Sequence, residues 1–250
     1  MFRQSVNMSL SMLNKIKFSA VFLFFLVCVT AFSQVGEYRN TLSLGANGGM
    51  TFNTISFDPH IKQNSHIGPT FGVTMRYTCE KYFKTLCALQ LELNYTRLGW
   101  TEHVLDHNSE ELPDEYSRYL DYIQLPMLAR LSWGRENNGV MFSIMAGPQL
   151  GYCFGETSKR SEVWTVTADG LPDRPNMLSV QYDMDIDHKL DYGITGGLGI
   201  DVNTKIGRFS IEGRYYYGLA DIFASAKKDV FSKSNHQTIS AKISYLIDIK

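Results

Sequence analysis

The amino-acid sequence predicts an all-β fold, an eight-stranded antiparallel up-and-down transmembrane β-barrel. Eight segments alternate apolar residues with small or polar residues, and a period of two indicates β-strands with two different faces. Each segment is long enough to cross a bilayer as a tilted strand, which takes about ten residues. The connections alternate between long and short, which is typical of outer-membrane barrels with long external loops and short periplasmic turns.

The clearest of these segments is Val140–Phe154. Its even positions are apolar and end in aromatic residues, whereas its odd positions are small or polar apart from two methionines. This segment is strand five, with its even face toward lipid. Pro148 lies inside it, and a closed sheet has no edge at which a proline is tolerated, so a β-bulge is predicted there.

The N-terminus has the three parts of a signal peptide. Arg3, Lys15 and Lys17 precede an apolar run of about 12 residues, which is short for a membrane-spanning helix. Small residues at Ala31 and Ser33 predict cleavage before Gln34. Residues 1–33 are therefore predicted to be a signal peptide and residues 34–250 the barrel domain. An uncleaved membrane anchor is the alternative. Translation starts at either Met1 or Met12, and both starts are compatible with the signal-peptide pattern.

Removal of the signal peptide leaves a mildly acidic chain. The net charge changes from −1 to −4, because residues 1–33 contain three cations and no acids. An acidic chain without a basic cluster argues against nucleic-acid binding. No later apolar run is long enough for a transmembrane helix. These observations leave a periplasmic protein, a secreted protein or an outer-membrane barrel.

The eight strands follow one another with clear turn signals between them. In strand three, three leucines alternate with Gln90, Glu92 and Asn94, which is hard to explain for a soluble surface strand. In strand four, Asp121 lies on the same parity as the apolar residues. This position is compatible with a membrane strand only if Asp121 lies beyond the apolar band. The predicted strands centre on Leu42–Phe52, Ile67–Cys79, Cys87–Tyr95, Tyr119–Trp133, Val140–Phe154, Leu190–Val202, Phe209–Leu219 and Ile239–Ile249.

The connections complete the topology. The predicted external loops are Asn53–His66, Thr101–Arg118, Glu156–Lys189 and Asp221–His236, and the predicted periplasmic turns are Glu80–Thr85, Gly134–Gly139 and Asn203–Gly207. Aromatic residues of the outward parity then form two girdles, as membrane barrels require. The outer girdle contains Tyr95, Tyr119, Tyr152, Tyr192 and Tyr217, and the periplasmic girdle contains Tyr77, Trp133 and Phe209.

A secreted β-sandwich or lipocalin-like barrel is the rival fold, because it also shows alternation. There the apolar parity would face a core and the polar parity would face water. The polar parity here is unusually rich in Gly, Ser and Thr for a surface in water, and the loop lengths alternate. Both features favour the membrane barrel.

Charged residues recur on the inward parity. Side chains just fill the interior of an eight-stranded barrel, and charges removed from water need partners. The sequence therefore predicts an internal network of salt bridges and hydrogen bonds that plugs the barrel, with a polar path for a small solute as the alternative. Its predicted members are Arg76, Glu92, Arg130, Asp191, Asp201, Glu212, Arg214 and Lys242.

No pattern selects a catalytic, cofactor-binding or metal site. All six histidines are predicted in loops or at strand mouths, and the cluster of Glu102, His103, Asp106 and His107 is interpreted as solvated loop residues. No spacing selects a Ser–His–acid set. The glycines of Gly196–Gly199 lie inside a strand pattern and indicate close inward packing rather than a phosphate loop.

The three cysteines of the mature chain do not make a full disulfide framework, because their number is odd. Cys79 and Cys87 flank a short turn. They either pair across the hairpin in an oxidising compartment or serve as small apolar residues on an apolar face.

Several motifs resemble those of the PorT-like outer-membrane β-barrel proteins of the Bacteroidetes type. They are Tyr122-Ile123-Gln124-Leu125-Pro126 with Leu128 and Arg130, Gly147-Pro148-Gln149-Leu150-Gly151-Tyr152, Asp191-Tyr192-Gly193-Ile194 with Gly196-Gly197-Leu198-Gly199, and Glu212-Gly213-Arg214-Tyr215. The resemblance covers nearly the whole mature chain. It implies an outer-membrane barrel with no known catalytic residues and a link to a secretion system for surface proteins.

The sequence thus predicts a non-enzymatic integral outer-membrane barrel with a structural role or a role in secretion and surface assembly. Its external loops are predicted to supply recognition. The expected partners are outer-membrane lipid and envelope or secretion-system proteins, with no nucleic acid, cofactor or metal. A small transport barrel and a lipid-modifying enzyme at the rim are the alternatives.

Overall fold

The computed structural model describes residues 37–106, 108–162, 165–170, 182, 184–225 and 229–249. In these residues, eight antiparallel strands close into one barrel, in which each strand pairs with its sequence neighbours and the last strand pairs with the first. This confirms the predicted fold class. The signal peptide and its cleavage before Gln34 lie outside the described residues. The strands are β1 (Glu37–Asp58), β2 (Gln63–Tyr82), β3 (Thr85–Leu105), β4 (Glu111–Gly134), β5 (Val140–Arg160), β6 (Leu190–Thr204), β7 (Gly207–Asp221) and β8 (Lys233–Asp248).

The apolar parity of each strand faces outward. On β5, Phe142 and Ile144 are exposed, whereas Met141, Ser143 and Met145 are buried inside the barrel. The outward band ends in aromatic residues at both sides, where Phe71 packs 5.1 Å from Tyr95 and Phe209 packs 4.9 Å from Tyr245, measured between ring centroids. An apolar belt of this kind between aromatic girdles matches the hydrocarbon core of a bilayer. No helix in the described part of the chain has the length and apolarity to cross a membrane.

On the external side, the strands continue well beyond the apolar band. The interpretations of Asn53–His66 and Thr101–Arg118 as loops are wrong, because most of both segments is strand. The β1–β2 connection is only residues 59–62, and the β3–β4 connection is only residues 106–110. The long external connections are therefore those after β5 and β7.

The inward face of this extension is apolar. Along β1 the inward residues change from Asn53 to Ile55 and Phe57, and along β3 they change from Thr96 to Leu98 and Trp100. We call the resulting apolar core at the outer mouth the cap. Its residues are Ile55, Phe57, Ile61, Leu98, Trp100, Val104, Tyr116, Leu120, Tyr122, Cys153, Ile186, Ile222, Phe223 and Phe231.

The predicted β-bulge at Pro148 is wrong. Pro148 faces Ile194 on β6 in regular register, and no register shift occurs beside it on the β4 side. A proline removes one ladder donor, but its fixed φ is tolerated in an extended strand without an extra residue. The bulge of β5 lies at Phe154 instead, between the pairs Asp121–Gly155 and Tyr122–Cys153. Because the bulge adds one residue, the parity of β5 that faces outward in the membrane faces inward above it.

The cap provides a test of the external extension. We expect Trp100→Ala to loosen the cap at a cost of about 3–5 kcal/mol, because Trp100 is fully buried and its removal leaves a large cavity. Hydrogen exchange of the amides in residues 98–104 and 116–120 should accelerate, while the heat-modifiable gel migration of the folded barrel persists. Trp133→Ala, on the lipid face, is the control. Equal exchange in the two variants would show that the cap does not hold the extension.

Candidate functional site

The inward charges predicted from the sequence come from β2, β3, β4, β6, β7 and β8, and the structure places all eight inside the barrel. None is more than 5% exposed. Seven of them contact one another, and we call these the charged network. Its members are Arg76, Glu92, Arg130, Asp201, Glu212, Arg214 and Lys242.

Glu212 lies at the centre of the charged network. Its carboxylate accepts hydrogen bonds from Arg130 at 2.5 Å, from Arg76 at 3.4 Å and from Arg214. Ser210 also donates to it, at 3.1 Å. Three guanidinium groups therefore depend on one carboxylate, and breaking such a buried pair leaves charges without compensation.

Asp201 and Glu92 bind the cations on either side of Glu212. Arg130 donates to both carboxylate oxygens of Asp201, at 2.8 and 2.9 Å, and Arg76 donates to one of them at 3.3 Å. Arg214 donates to both oxygens of Glu92, at 2.5 and 3.0 Å. Lys242 donates to Glu92 at 2.6 Å. With four cations and three carboxylates, the charged network has a net charge of +1.

The fold makes room for the arginines with glycines on β6. A Cβ atom at Gly199 would lie 3.0 Å from the guanidinium group of Arg130, and a Cβ atom at Gly197 would lie 2.9 Å from Cγ of Arg214. Real Cβ contacts at such distances are rare, so larger residues there would displace the arginines. The segment Gly196–Gly199 thus packs against the charged network inside a strand.

Asp191 is the one predicted member that the structure does not bring into the charged network. It is buried, and its carboxylate forms no ion pair among the described residues; its polar neighbours are the hydroxyl of Tyr216 and the backbone of Tyr192. It lies close to Gly151 and Gly218, where a Cβ atom at Gly218 would be 3.4 Å from one carboxylate oxygen. Position on an inward parity therefore does not by itself provide an ion-pair partner.

Above the charged network lies a neutral polar layer around His236, which the sequence pattern places in a loop and the structure places inside β8. Nδ1 of His236 lies 3.3 Å from Oδ1 of Asn53, and Nε2 lies 3.2 Å from the hydroxyl of Tyr122. Thr238 also donates to Asn53, at 2.6 Å. These two contacts fit a neutral imidazole, which has one donor nitrogen and one acceptor nitrogen. With Nδ1 donating and Nε2 accepting, each contact is satisfied.

The outer rim resolves the position of Asp121. Its carboxylate accepts hydrogen bonds from Arg97 at 2.8 and 3.3 Å and from the hydroxyl of Tyr95 at 2.5 Å. The hydrogen bond from Arg97 lowers the pKa of Asp121. Farther out, Lys159 lies 5.7 Å above the ring of Tyr119. Asp121 thus lies beyond the apolar band, as its position on the lipid-facing parity requires.

The described residues hold no group of three or more His, Cys, Asp or Glu side chains placed to bind a metal ion. His107 lies outside them. His103 lies 3.5 Å from Glu111, whose pKa is lowered by a hydrogen bond from Lys62. Cys79, Cys87 and Cys153 are free thiols.

The difference between Glu212 and Asp191 gives a matched test of the charged network. We expect Glu212→Gln to destabilise the barrel by about 3–5 kcal/mol, because it leaves three buried guanidinium groups short of one negative charge. Asp191→Asn should be neutral or stabilising, because no cation among the described residues pairs with this buried carboxylate. Denaturant unfolding in lipid vesicles, followed by gel migration, measures both. Equal effects of the two substitutions would contradict the assignment of Glu212 as the centre.

Comparison with known proteins places the chain in a family. The model of the family described as "Outer membrane protein beta-barrel domain" matches residues 32–224, from the start of the barrel through β7. No curated protein matches the chain.

Solved structures of outer-membrane proteins are similar over most of the chain. Ail of Yersinia pestis is 14% identical, with 84% of this chain and 99% of Ail covered and a TM-score of 0.34. OprG of Pseudomonas aeruginosa is 11% identical, with 85% and 98% covered and a TM-score of 0.43. Neisserial surface protein A is 12% identical, with 82% and 96% covered and a TM-score of 0.36. On the match to its family model, the chain belongs to the outer membrane protein beta-barrel domain family.

Proposed function

We propose that this protein is a closed, non-enzymatic barrel of the outer membrane with a structural role or a role in secretion and surface assembly, exerted through its external surface. The observation that carries the proposal is the double closure of the bore. The charged network fills the barrel at membrane depth, and the cap fills its outer mouth.

The charged network closes the bore because its contacts cross from wall to wall. Arg76 on β2 reaches Asp201 on β6, Arg130 on β4 reaches Glu212 on β7, and Glu92 on β3 reaches Arg214 on β7. Passage of a solute would require breaking these buried pairs, each of which is expensive to separate.

The cap closes the outer mouth with aromatic packing. Trp100 lies 5.4 Å from Phe57, and Phe223 lies 5.5 Å from Phe231, measured between ring centroids. Arg118 lies over Trp100 at 5.8 Å and over Phe223 at 5.6 Å. A closely packed mouth lined mainly by apolar side chains offers few polar groups to replace the hydration shell of an ion.

A lipid-modifying enzyme at the rim has less support than the closed barrel. Its chemistry requires a nucleophile hydrogen-bonded to a base. Of the rim histidines, His66 packs against the ring of Tyr119 and His103 lies beside Glu111. The hydrogen bonds of the described residues include no serine–histidine pair.

The association with secretion rests on the PorT-like motifs and on the external extension. Beyond the apolar band, β3, β4 and β5 remain paired as far as the pairs Leu105–Glu111 and Tyr116–Arg160. A continuous sheet supported by the cap is a more rigid platform for a protein partner than a loop is. We therefore propose that an envelope or secretion-system protein binds this external sheet.

Planar-bilayer recording tests the closed bore. We expect purified wild-type barrel, checked for folding by heat-modifiable migration, to show no discrete conductance steps. A variant with the charged network reduced by Arg130→Ser and Glu212→Ser is the comparison, because its interior loses the crossing ion pairs Arg130–Glu212, Arg130–Asp201 and Arg76–Glu212. Discrete steps in the wild type would overturn the proposal and favour the small transport barrel.

Secretion is tested separately in cells. A strain without this protein should lose exported surface proteins from the cell surface several-fold, and the wild-type gene should restore them. The Glu212→Gln variant, if it still inserts, should also restore them, because its external sheet is unchanged. Normal export in the deletion strain would contradict the secretion role and leave the structural role.

A further inference from the structure

The external sheet has an unpaired edge on β5. Up to the pair Tyr152–Leu190, β5 lies between β4 and β6, and the backbone N–H of Cys153 still donates to the carbonyl oxygen of Lys189, at 2.7 Å. From there β5 continues to Arg160 with β4 on one side, and no described strand pairs with it on the other side. We call residues 155–159 the free edge. A strand with one partner leaves every second backbone N–H and C=O group unused.

The hydrogen bonds to β4 show which backbone groups are unused. Directly after β5, the backbone N–H of Ser161 donates to the carbonyl oxygen of Glu115 on β4, at 3.0 Å. The register between the two strands is regular along the free edge, so every second residue before Ser161, such as Thr157, also directs its N–H and C=O groups toward β4. Glu156 and Ser158 direct theirs away from β4, and no backbone hydrogen bond between described residues satisfies them.

The free edge borders a cleft of about 310 Å³ outside the membrane. Residues 156–158 form one wall, and the connection between β5 and β6 forms the other, with Tyr182 and Met184 in it. Arg118 also lines the cleft, where it donates to the carboxylate of Glu156 at 2.9 Å. A chain that enters the cleft therefore has the unused backbone groups on one side and a second wall on the other.

The spacing of the unused backbone groups determines what can bind them. They recur at every second residue, roughly 7 Å apart, and another extended backbone has donors and acceptors at the same spacing. Lys159 adds a preference for charge, because its side chain is exposed on the outward face, 5.7 Å above the ring of Tyr119, and a neighbouring strand with an acidic residue there is stabilised. The lysine also disfavours pairing between two copies of this edge, because each copy would bring a cation to the other.

We propose that a partner protein binds the free edge by adding a strand to it, with hydrogen bonds to the backbone of Glu156 and Ser158 and an acidic side chain beside Lys159. This inference rests on the proposed function, because it gives a binding mode to the protein partner of the external sheet. The added strand continues the sheet of β3, β4 and β5 above the membrane, on the side of β5 that β6 occupies within it.

Strand addition is tested in cells with Ser158→Pro. Proline removes an N–H group that faces the free edge and leaves the hydrogen bonds to β4 intact. Ser158→Ala is the matched control, because it loses the same hydroxyl and keeps the N–H group. Where deletion of the gene reduces exported surface proteins several-fold, Ser158→Ala should restore them and Ser158→Pro should not, although both migrate as folded barrels. Equal restoration by the two variants would overturn strand addition and leave the secretion role in place.

A synthetic strand tests the free edge independently of secretion. The probe is a short peptide that alternates valine with glutamate, and its control is the same peptide with a methyl group on every backbone nitrogen. We expect the probe to slow amide hydrogen exchange at Glu156 and Ser158 several-fold in the purified wild-type barrel and in Ser158→Ala. The methylated peptide should have no effect, because it cannot donate hydrogen bonds from its backbone. In Ser158→Pro, the protection of Glu156 by the probe should be lost.

Each other outcome of the peptide experiment is decisive. Equal exchange with the two peptides would overturn the proposal. Slow exchange at Glu156 and Ser158 in the barrel alone would also overturn it, because the chain itself would then cover the free edge. Normal export in the deletion strain, together with protection by the probe, would contradict the secretion role and support the free edge as a binding site for a strand.

Discussion

The carboxylate of Glu212 is the interaction on which the interior of this barrel depends. It is fully buried and holds Arg76, Arg130 and Arg214, which reach it from three different strands. An unpaired guanidinium group in the barrel would cost several kcal/mol, so the three cations fix one relative position of β2, β4 and β7. An apolar interior would be as easy to bury but would accept many registers. The charged network thus specifies the closure of the sheet as well as filling it.

The interior has a polar part and an apolar part because the outer surface of the barrel contacts lipid at one level and water at another. Where the barrel faces lipid, its outward side chains are apolar and most of its inward side chains are polar, with Leu128, Met141 and Met145 among the exceptions. Where the strands leave the membrane, the outward side chains face water, and the inward side chains form the apolar cap. On β3 this exchange occurs within a few residues, since Tyr95 is the outward aromatic residue at the edge of the apolar band and Leu98 is the first β3 residue of the cap. The barrel is a membrane protein below this level and resembles a soluble protein with its own core above it.

This exchange explains what the sequence could and could not predict. Within the membrane the period of two identifies each strand and each face, so the inward charges, the girdles and the order of the strands follow from the sequence. At the membrane surface the apolar residues move from the outward parity to the inward parity. This shift interrupts the alternation in the sequence, so it looks like the end of a strand. The segment Thr101–Arg118 consequently looks like an acidic loop, although Trp100, Val104 and Tyr116 already alternate as inward residues of a continuing hairpin.

The sequence could not predict which individual charges pair, and the reason is a different one. Which cation meets which carboxylate depends on the stagger of the strands around the closed barrel, and alternation within one strand does not determine it. Glu212 and Asp191 are equivalent in pattern, yet Glu212 contacts three arginines and Asp191 pairs with no cation among the described residues.

The motifs that carry the PorT-like resemblance lie largely in this interior. Arg130, Glu212 and Arg214 belong to the charged network, and the glycines at positions 197 and 199 make room for it. The resemblance therefore concerns how the barrel is closed, and a shared way of closing a barrel does not specify its partner. The external sheet above the membrane lies outside these motifs, and it is the surface on which we propose that a protein partner binds.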